Sequence, residues 1–198
     1  MAHIVASTKS YDATIRLGAA TTTDDAEGDH SWGASAASID SSAIEAEIGK
    51  LTGDIMQKPA AVSAIKINGR RAHELVREGQ EVDIPARPVT VDRFEIVEER
   101  RVGDYIDLDV TVDCSSGTYI RSLARDLGEA LQVGGHLTAL RRTEVGPFAL
   151  ADALSLETLA DSPRLSLSLD EALARCFPVL AVTEAVSYTH LRAHETGR

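Results

Sequence analysis

The sequence predicts an α+β domain in which helices flank a mostly antiparallel mixed sheet. Residues 88–98 and 104–113 each alternate apolar and polar side chains, and the short Arg101-Val-Gly103 segment between them predicts a hairpin. After residue 119 the apolar residues recur at helical spacing, at Ile120, Leu123, Ala124, Leu127 and Leu131. Apolar residues that recur every second position in one segment and about every 3.6 positions in the next are typical of a sheet and helices in one domain.

The first predicted strand covers residues 8–17 and leads into a polar loop from residue 18 to residue 33. Its apolar face carries Tyr11, Ala13, Ile15 and Leu17. A short helix follows, which Ser41 and Ser42 are predicted to cap and which ends at Gly53. Its apolar residues are Ile44, Ile48 and Leu51.

Residues 58–69 predict a loop and a strand-like piece with a tight turn at Asn68-Gly69, and residues 71–79 predict a short helix. Residues 115–118 (SSGT) turn and cap the next helix, which puts Tyr119 and Arg121 in its first turn. A helix start on a rigid scaffold is a common place for functional groups, but surface or capping roles fit the same pattern. Two more helices are predicted, near residues 154–160 and 169–176.

The composition fits one domain, because 198 residues with 43% hydrophobic content are enough for a proper core. No run of eighteen apolar residues and no signal-peptide pattern occurs, so we expect a cytoplasmic protein with no membrane contact. Cys114 and Cys176 lie far apart without metal-like neighbours, which predicts reduced thiols rather than a disulfide or a zinc site. His190 and His194 have helical metal-ligand spacing, but no third ligand is visible, and no metal is expected.

The net charge of −11 argues against nucleic-acid binding if the chain is taken as a whole. The charges are segregated, however. Between residues 22 and 54 Lys50 is the single cation among the acidic residues Asp24, Asp25, Glu27, Asp29, Asp40, Glu45, Glu47 and Asp54. Between residues 58 and 77 Glu74 is the single acid among Lys58, Lys66, Arg70, Arg71 and Arg77. Such a basic segment fits either an RNA surface or an ion-pairing surface.

Several blocks, in order, resemble the TruB family of tRNA pseudouridine synthases. They are residues 9–18 (KSYDATIRLG), 21–28 (TTTDDAEG), 53–59 (GDIMQKP), 63–69 (SAIKING), 86–90 (ARPVT), 114–128 (CSSGTYIRSLARDLG) and 134–143 (GGHLTALRRT). Residues 168–180 (SLDEALARCFPVL) resemble the linker region of bacterial members. The resemblance therefore implies the pseudouridine synthase catalytic-domain fold over most of the chain.

Three segments are expected from this resemblance. Residues 1–150 would be the latter part of the catalytic domain, and residues 151–185 a helical extension toward a C-terminal domain. Residues 186–198 (VSYTHLRAHETGR) look like a translated sequencing adapter and are expected to be artefactual. The family's Leu-Asp-Pro block with the nucleophilic aspartate does not occur in the sequence, so we expect a fragment that is inactive on its own.

The resemblance implies isomerisation of uridine 55 in the T arm of tRNA to pseudouridine, without cofactor or metal and by a monomer. The carbon–nitrogen bond from ribose to uracil N1 breaks and re-forms to C5, and an aspartate supplies the nucleophile or base. Tyr11 would stack on the flipped uracil and assist proton transfer, with a packed core tyrosine as the alternative. Arg121 would hold the nucleophilic aspartate, since a guanidinium orients a carboxylate and keeps it ionised.

Two further residues take site roles by resemblance. Asp25 would be a second carboxylate that fixes Arg121 from the other side, with an ordinary loop acid as the alternative. Tyr119 would pack in the wall of the site, with a simple helix-start tyrosine as the alternative.

The expected RNA contacts are basic residues that position a stem-loop through its phosphates. They are Lys58, Lys66, Arg70, Arg71, Arg141 and Arg142, with His136 in the same motif as the last two. The family's usual proline and tyrosines in this region are replaced by Ala60, Val62 and His73, which affects stacking contacts but not the basic character.

Three alternatives remain open from the sequence. The first is a non-catalytic RNA-binding module, which would need residues 58–77 but not Arg121. The second is a related synthase that acts on another RNA. The third is a protein-interaction domain, which the acidic total would suit.

Overall fold

The computed structural model describes residues 7–60, 66–67, 70–71 and 84–179, with the backbone alone described at 66–67 and 70–71. In chain order the strands are β1 Lys9–Leu17, β2 Ala20–Thr21, β3 His30–Trp32, β4 Gly53–Gln57, β5 Lys66–Ile67, β6 Arg70–Arg71, β7 Arg87–Val102, β8 Tyr105–Cys114, β9 Gly135–Val145 and β10 Phe148–Ala149. The helices are α1 Ser41–Lys50, α2 Ile120–Ala130, α3 Leu156–Asp161 and α4 Leu169–Cys176. The chain divides into two compact units, residues 1–151 and 152–198.

The first unit is built on a six-stranded sheet of order β10-β9-β1-β8-β7-β4, in which all neighbours are antiparallel. The predicted α+β class is therefore confirmed. The predicted hairpin is also present, as β7 and β8, but Val102 pairs with Tyr105 and the turn shrinks to Gly103 and Asp104. Gly103 has φ of 60°, and this left-handed backbone allows the strands to continue closer to the turn than predicted.

β1 forms where the alternation predicted a strand, and it lies inside the sheet between β8 and β9. Ala13, Ile15 and Leu17 are buried in the core against the helices. The opposite face is polar and pairs across strands, since Arg16 binds Asp107 at 2.7 Å. A sheet with one apolar and one polar face needs helices on one side only.

α1 begins at Ser41 with Asp40 as the N-cap residue, one position before the predicted serine caps, and no side chain caps it. Its buried face consists of Ile44 and Ile48, as predicted. α2 begins at Ile120 with an extended Tyr119 at the N-cap, so Tyr119 precedes the first turn instead of lying in it. The predicted apolar face of α2 is buried through Ile120, Leu123, Ala124 and Leu127.

α2 also packs closely on the start of β9. A Cβ added to Gly128 would lie 2.1 Å from the backbone nitrogen of Gly135, and one added to Gly135 would lie 2.4 Å from the carbonyl oxygen of Ala124. Glycine at both positions therefore permits the helix backbone to rest directly on the strand backbone.

The predicted loop at residues 18–33 contains the short β2–β3 ribbon, in which Ala20 pairs with Trp32 and Thr21 with His30. Strands of two and three residues are too short to show a period in the sequence. β5 and β6 pair Lys66 with Arg71 as an antiparallel ribbon, where the sequence predicted a strand-like piece and a tight turn. The Asn68-Gly69 turn and the helix predicted at residues 71–79 lie outside the described residues, except for Arg71.

In the second unit the two predicted helices are confirmed as α3 and α4. Ser155 caps α3 by accepting from the backbone N–H of Thr158. A capping box between Ser168 and Glu171 starts α4. Among the described residues no helix is long and apolar enough to cross a bilayer. The tail predicted to be artefactual lies outside the described residues, and the predicted three-part division stays a prediction.

Candidate active site

Arg121 and Asp25 meet at the start of α2, although 96 residues separate them in the sequence. The guanidinium Nη1 lies 2.8 Å from Asp25 Oδ2, and the same nitrogen lies 3.5 Å from the carbonyl oxygen of Thr23. The two side chains are 29% and 23% exposed, so the ion pair is accessible but largely sheltered from water. Such a pair is less screened than one on an open surface.

The loop around Asp25 aims its carboxylate at the arginine. Asp25 Oδ1 accepts hydrogen bonds from the Thr23 hydroxyl at 2.6 Å and from the Glu27 backbone N–H at 3.1 Å. The Thr21 hydroxyl donates to the Asp25 carbonyl at 2.7 Å. Because Oδ1 is held by the loop itself, Oδ2 is the oxygen presented to Arg121.

A second charged cluster lies one helical turn further along α2, around Arg125. Its guanidinium contacts Asp24 Oδ2 at 3.2 Å, Asp126 Oδ1 at 2.7 Å and the carbonyl oxygen of Lys58 at 2.7 Å. Asp24 has φ of 60°, a left-handed conformation that is uncommon for aspartate. Burial raises the pKa of both Asp24 and Asp126 above the ordinary range, despite the neighbouring cation.

The Arg125 cluster also anchors the loop of Asp25 to the sheet. The backbone carbonyl of Asp24 accepts from the N–H of Leu137 on β9 at 3.0 Å, and Asp25 forms an isolated parallel bridge with Leu137. Our sequence reasoning missed Arg125. The available signal was its spacing of four residues from Arg121, which places both on one face of a helix.

Gln57 is the other residue that sequence reasoning missed. It is 1% exposed at the end of β4. Its side-chain amide forms hydrogen bonds with both the carbonyl and the N–H of the Tyr119 backbone. Its Nε2 donates to the Tyr119 carbonyl at 3.1 Å, and its Oε1 accepts from the Tyr119 N–H at 2.8 Å. A glutamine in a strand gives no sign in the sequence that it will be buried against a helix start.

An open pocket with a volume of about 340 Å³ adjoins the ion pair. The described residues that line it are Asp25, Ala26, Glu27, Arg121, Leu137, Thr138, Ala139 and Leu140. Tyr11 and Tyr119 are not among these lining residues, so the structure brings together two of the four predicted catalytic side chains. Tyr11 is half-buried on β1, and burial raises its pKa, while its cross-strand neighbour Arg142 acts in the opposite direction.

Three predicted RNA contacts are exposed in the described part of the chain, namely Lys58 after β4 and Arg141 and Arg142 on β9. The side chains of Lys66, Arg70 and Arg71 lie outside what the structure describes. His136 differs from its prediction, because it is only 7% exposed and its Nδ1 lies 2.7 Å from the carbonyl oxygen of Ala19. A ring in that position holds the chain after β1 and is not placed to reach a phosphate.

Within the described residues no group of three or more His, Cys, Asp or Glu side chains is arranged to hold a metal ion. Cys114 is buried and Cys176 is half-buried, and both are free thiols. Burial raises the pKa of the Cys114 thiol, so it is a core residue rather than a reactive one.

Two family models match the chain. Residues 1–120 match the N-terminal domain of TruB family pseudouridylate synthase, and residues 121–181 match the tRNA pseudouridylate synthase B C-terminal domain. A tRNA pseudouridine synthase B of Corynebacterium aurimucosum is 72% identical over 184 residues, which cover 93% of this chain and 62% of that protein. One of Mycobacterium avium is 62% identical over 174 residues, covering 88% of this chain and 56% of that protein. The chain thus spans less than two thirds of these relatives.

Solved structures agree with the fold. A Cbf5-Nop10-Gar1 complex contains a chain that matches with a TM-score of 0.56 and 27% identity, over 81% of this chain and 37% of that chain. An H/ACA RNP bound to a substrate RNA containing 2'-deoxyuridine matches with a TM-score of 0.51 and 25% identity, over 80% of this chain and 35% of that chain.

Proposed function

We propose that this chain, which belongs to the TruB family of pseudouridylate synthases, contributes Arg121 and Asp25 to a site that isomerises a uridine in the T arm of tRNA. The observation that carries the proposal is the Arg121–Asp25 ion pair beside an open pocket. The names of the relatives, tRNA pseudouridine synthase B, support tRNA as the substrate class.

Arg121 has the donor groups that this role requires. Among the described residues it makes hydrogen bonds through Nη1 alone, to Asp25 and Thr23. Nε and Nη2 are therefore available to a second carboxylate, and the guanidinium is a planar fork suited to bind one in a fixed orientation. In this proposal that carboxylate is the nucleophile, which attacks the target nucleotide, and Asp25 keeps the guanidinium in place.

Tyr11 and Tyr119 take supporting roles in the proposal. Tyr11 stacks on the extruded uracil and assists proton transfer. Burial raises the pKa of its phenol, so the group is protonated at neutral pH. Tyr119 forms the wall beside Arg121, where its backbone is held by Gln57.

The RNA contacts of the proposal are localised basic residues on a chain of net charge −11. Arg141 and Arg142 follow Leu140, which lines the pocket, so phosphates next to the target nucleotide come within their reach. Lys58 opens the basic segment that continues to Lys66, Arg70 and Arg71. We also propose that the protein is a cytoplasmic monomer. The 198-residue chain is expected to bind the stem-loop without forming product, because Asp25 is the sole carboxylate bound to Arg121 in the described part of the chain.

The test uses the 198-residue chain and a T-arm stem-loop with 2-aminopurine beside the target uridine. Anisotropy measures binding, 2-aminopurine fluorescence measures base extrusion, and tritium release from C5 measures isomerisation. We expect binding and extrusion. Extrusion should be lost in Arg121→Ala, because Arg121 lines the pocket that would receive the nucleotide, and unchanged in Arg93→Ala, an arginine on the outer face of the sheet.

Each other outcome changes the proposal. Binding without extrusion, unaffected by Arg121→Ala, would indicate the non-catalytic RNA-binding module. Product that disappears in Arg121→Ala would overturn the inactivity of the isolated chain and support its substrate. No binding to the T arm, or equal binding to an unrelated hairpin, would refute tRNA as the partner.

A further inference from the structure

The most specific contact to the start of α2 comes from a side chain outside the pocket. Both polar ends of the Gln57 amide are used by one backbone residue, since Nε2 donates to the Tyr119 carbonyl and Oε1 accepts from its N–H. This is how a neighbouring strand would pair with Tyr119, whose backbone is extended with φ of −106° and ψ of 111°. A side chain replaces a strand here.

The residue after Gln57 binds the same helix on its next turn. The Lys58 carbonyl accepts from Arg125 Nη2 at 2.7 Å, four residues beyond Arg121. The end of β4 is therefore fastened to α2 on both sides of Arg121. The basic segment begins at this point of the chain, at Lys58 itself.

We propose that Gln57 is a positioning residue for Arg121, acting through the backbone of Tyr119. The proposal rests on the function proposed above. A displacement of Tyr119 moves the first turn of α2 and with it the guanidinium that meets Asp25 Oδ2. Misplacement of a catalytic group by about 1 Å is enough to cost about a hundredfold in rate.

Gln57→Glu provides a switchable test. The ionised carboxylate still accepts from the Tyr119 N–H but repels its carbonyl, whereas the protonated acid restores both hydrogen bonds in the same shape. Burial favours the protonated form in mild acid. We expect base extrusion about tenfold weaker than wild type near pH 8 and recovery near pH 5.5, with RNA affinity within about twofold at either pH.

The controls separate this effect from other titrations. The charged groups on the packed elements include the cations Lys58 beside Gln57, Arg87 opposite it on β7, and Arg121 and Arg125 on α2. They also include the acids Asp54 on β4 and Asp126 and Glu129 on α2. Asp24 and Asp126 have raised pKa values, but they titrate equally in the wild type, which is measured over the same range.

Two further variants complete the design. Gln132→Glu makes the same chemical change at an exposed glutamine after α2 and should behave as wild type. Gln57→Met removes both hydrogen bonds and should lose extrusion without recovery in acid.

A readout without RNA keeps the two proposals distinguishable. The NMR resonance of the Arg121 Nε–H, assigned from Arg121→Lys, should shift in Gln57→Glu near pH 8 and return to its wild-type position in acid. If it shifts while wild type binds no RNA, the positioning holds and the function fails. An unshifted resonance with normal extrusion near pH 8 would overturn the positioning role. So would equal losses of extrusion, affinity and thermal stability that acid does not reverse, because they would show a merely structural residue.

Discussion

Replacing Arg125 with leucine should destabilise the first unit by an amount that follows from its contacts. The guanidinium and the Asp24 carboxylate are 18% and 15% exposed, and Arg125 also binds Asp126 and the Lys58 carbonyl. Removing one partner of a buried ion pair costs about 3–5 kcal/mol, because the other charge stays buried without compensation. Since the cluster keeps some contact with water, we expect about 3 kcal/mol, at the lower end of that range.

Urea unfolding followed by circular dichroism would measure this change, and the midpoint of thermal unfolding should fall by about 6–12 °C. Arg125→Leu combined with Asp24→Asn should recover about half of the loss, because the neutral amide has no uncompensated charge. Arg93→Leu is the matched control, since its ion pair with Asp113 is more exposed than the Arg125 cluster and its loss should lower the free energy of unfolding much less than the loss of Arg125 does. A loss below about 1 kcal/mol in Arg125→Leu, or no recovery in the double variant, would refute the reasoning.

Three other predictions concern acid stability, packing and RNA binding. Hydrogen bonds from Arg100 and Thr14 lower the pKa of Asp109 to about 2. The ionised carboxylate therefore stabilises the fold fully at pH values above the pKa that Asp109 has in the unfolded chain, and this stabilisation is lost as the pH falls toward 2. Asp109→Asn should therefore be less stable than wild type at neutral pH and equal to it near pH 2 in urea unfolding. Gly128→Ala should cost at least about 3 kcal/mol, because the new Cβ would lie 2.1 Å from the Gly135 nitrogen, whereas Gly49→Ala meets no atom within 4 Å and should be neutral or stabilising. Arg141→Ala should reduce the slope of log affinity for the stem-loop against log salt by about one unit, and an unchanged slope would exclude its phosphate contact.

The elements with long, regular periods were predictable from the sequence. β1, the β7–β8 hairpin and α2 each present enough alternating or helical positions to define their buried face. β2 and β3 were missed because two or three residues hold no period. The observed N-cap residues, Asp40 and Tyr119, differ from the predicted ones. Both have an extended backbone and neither forms the side-chain cap on which the prediction relied.

The site was predictable only in part. Arg121 and Asp25 were predicted from the family resemblance, and no spacing rule relates residues 96 positions apart. Gln57 and Arg125 were not predicted, because their roles depend on which backbone groups the fold brings to them. The burial of His136 was missed for the same reason, since its partner is a carbonyl 117 residues away. Local sequence identifies a polar side chain but not its tertiary partner.

The contact between Gly128 and Gly135 limits how this site can be redesigned. Side chains at an ordinary helix–strand interface can be exchanged for larger or smaller ones, and the gap between the elements changes accordingly. Here main chain rests on main chain, so a side chain added at Gly128 or Gly135 can only force the helix of Arg121 away from the strand that lines the pocket, at the cost of a backbone clash. Changes in the shape of the pocket would therefore have to come from its rim, at Ala26 and Glu27 in the loop, while the distance between the helix and the strand stays fixed.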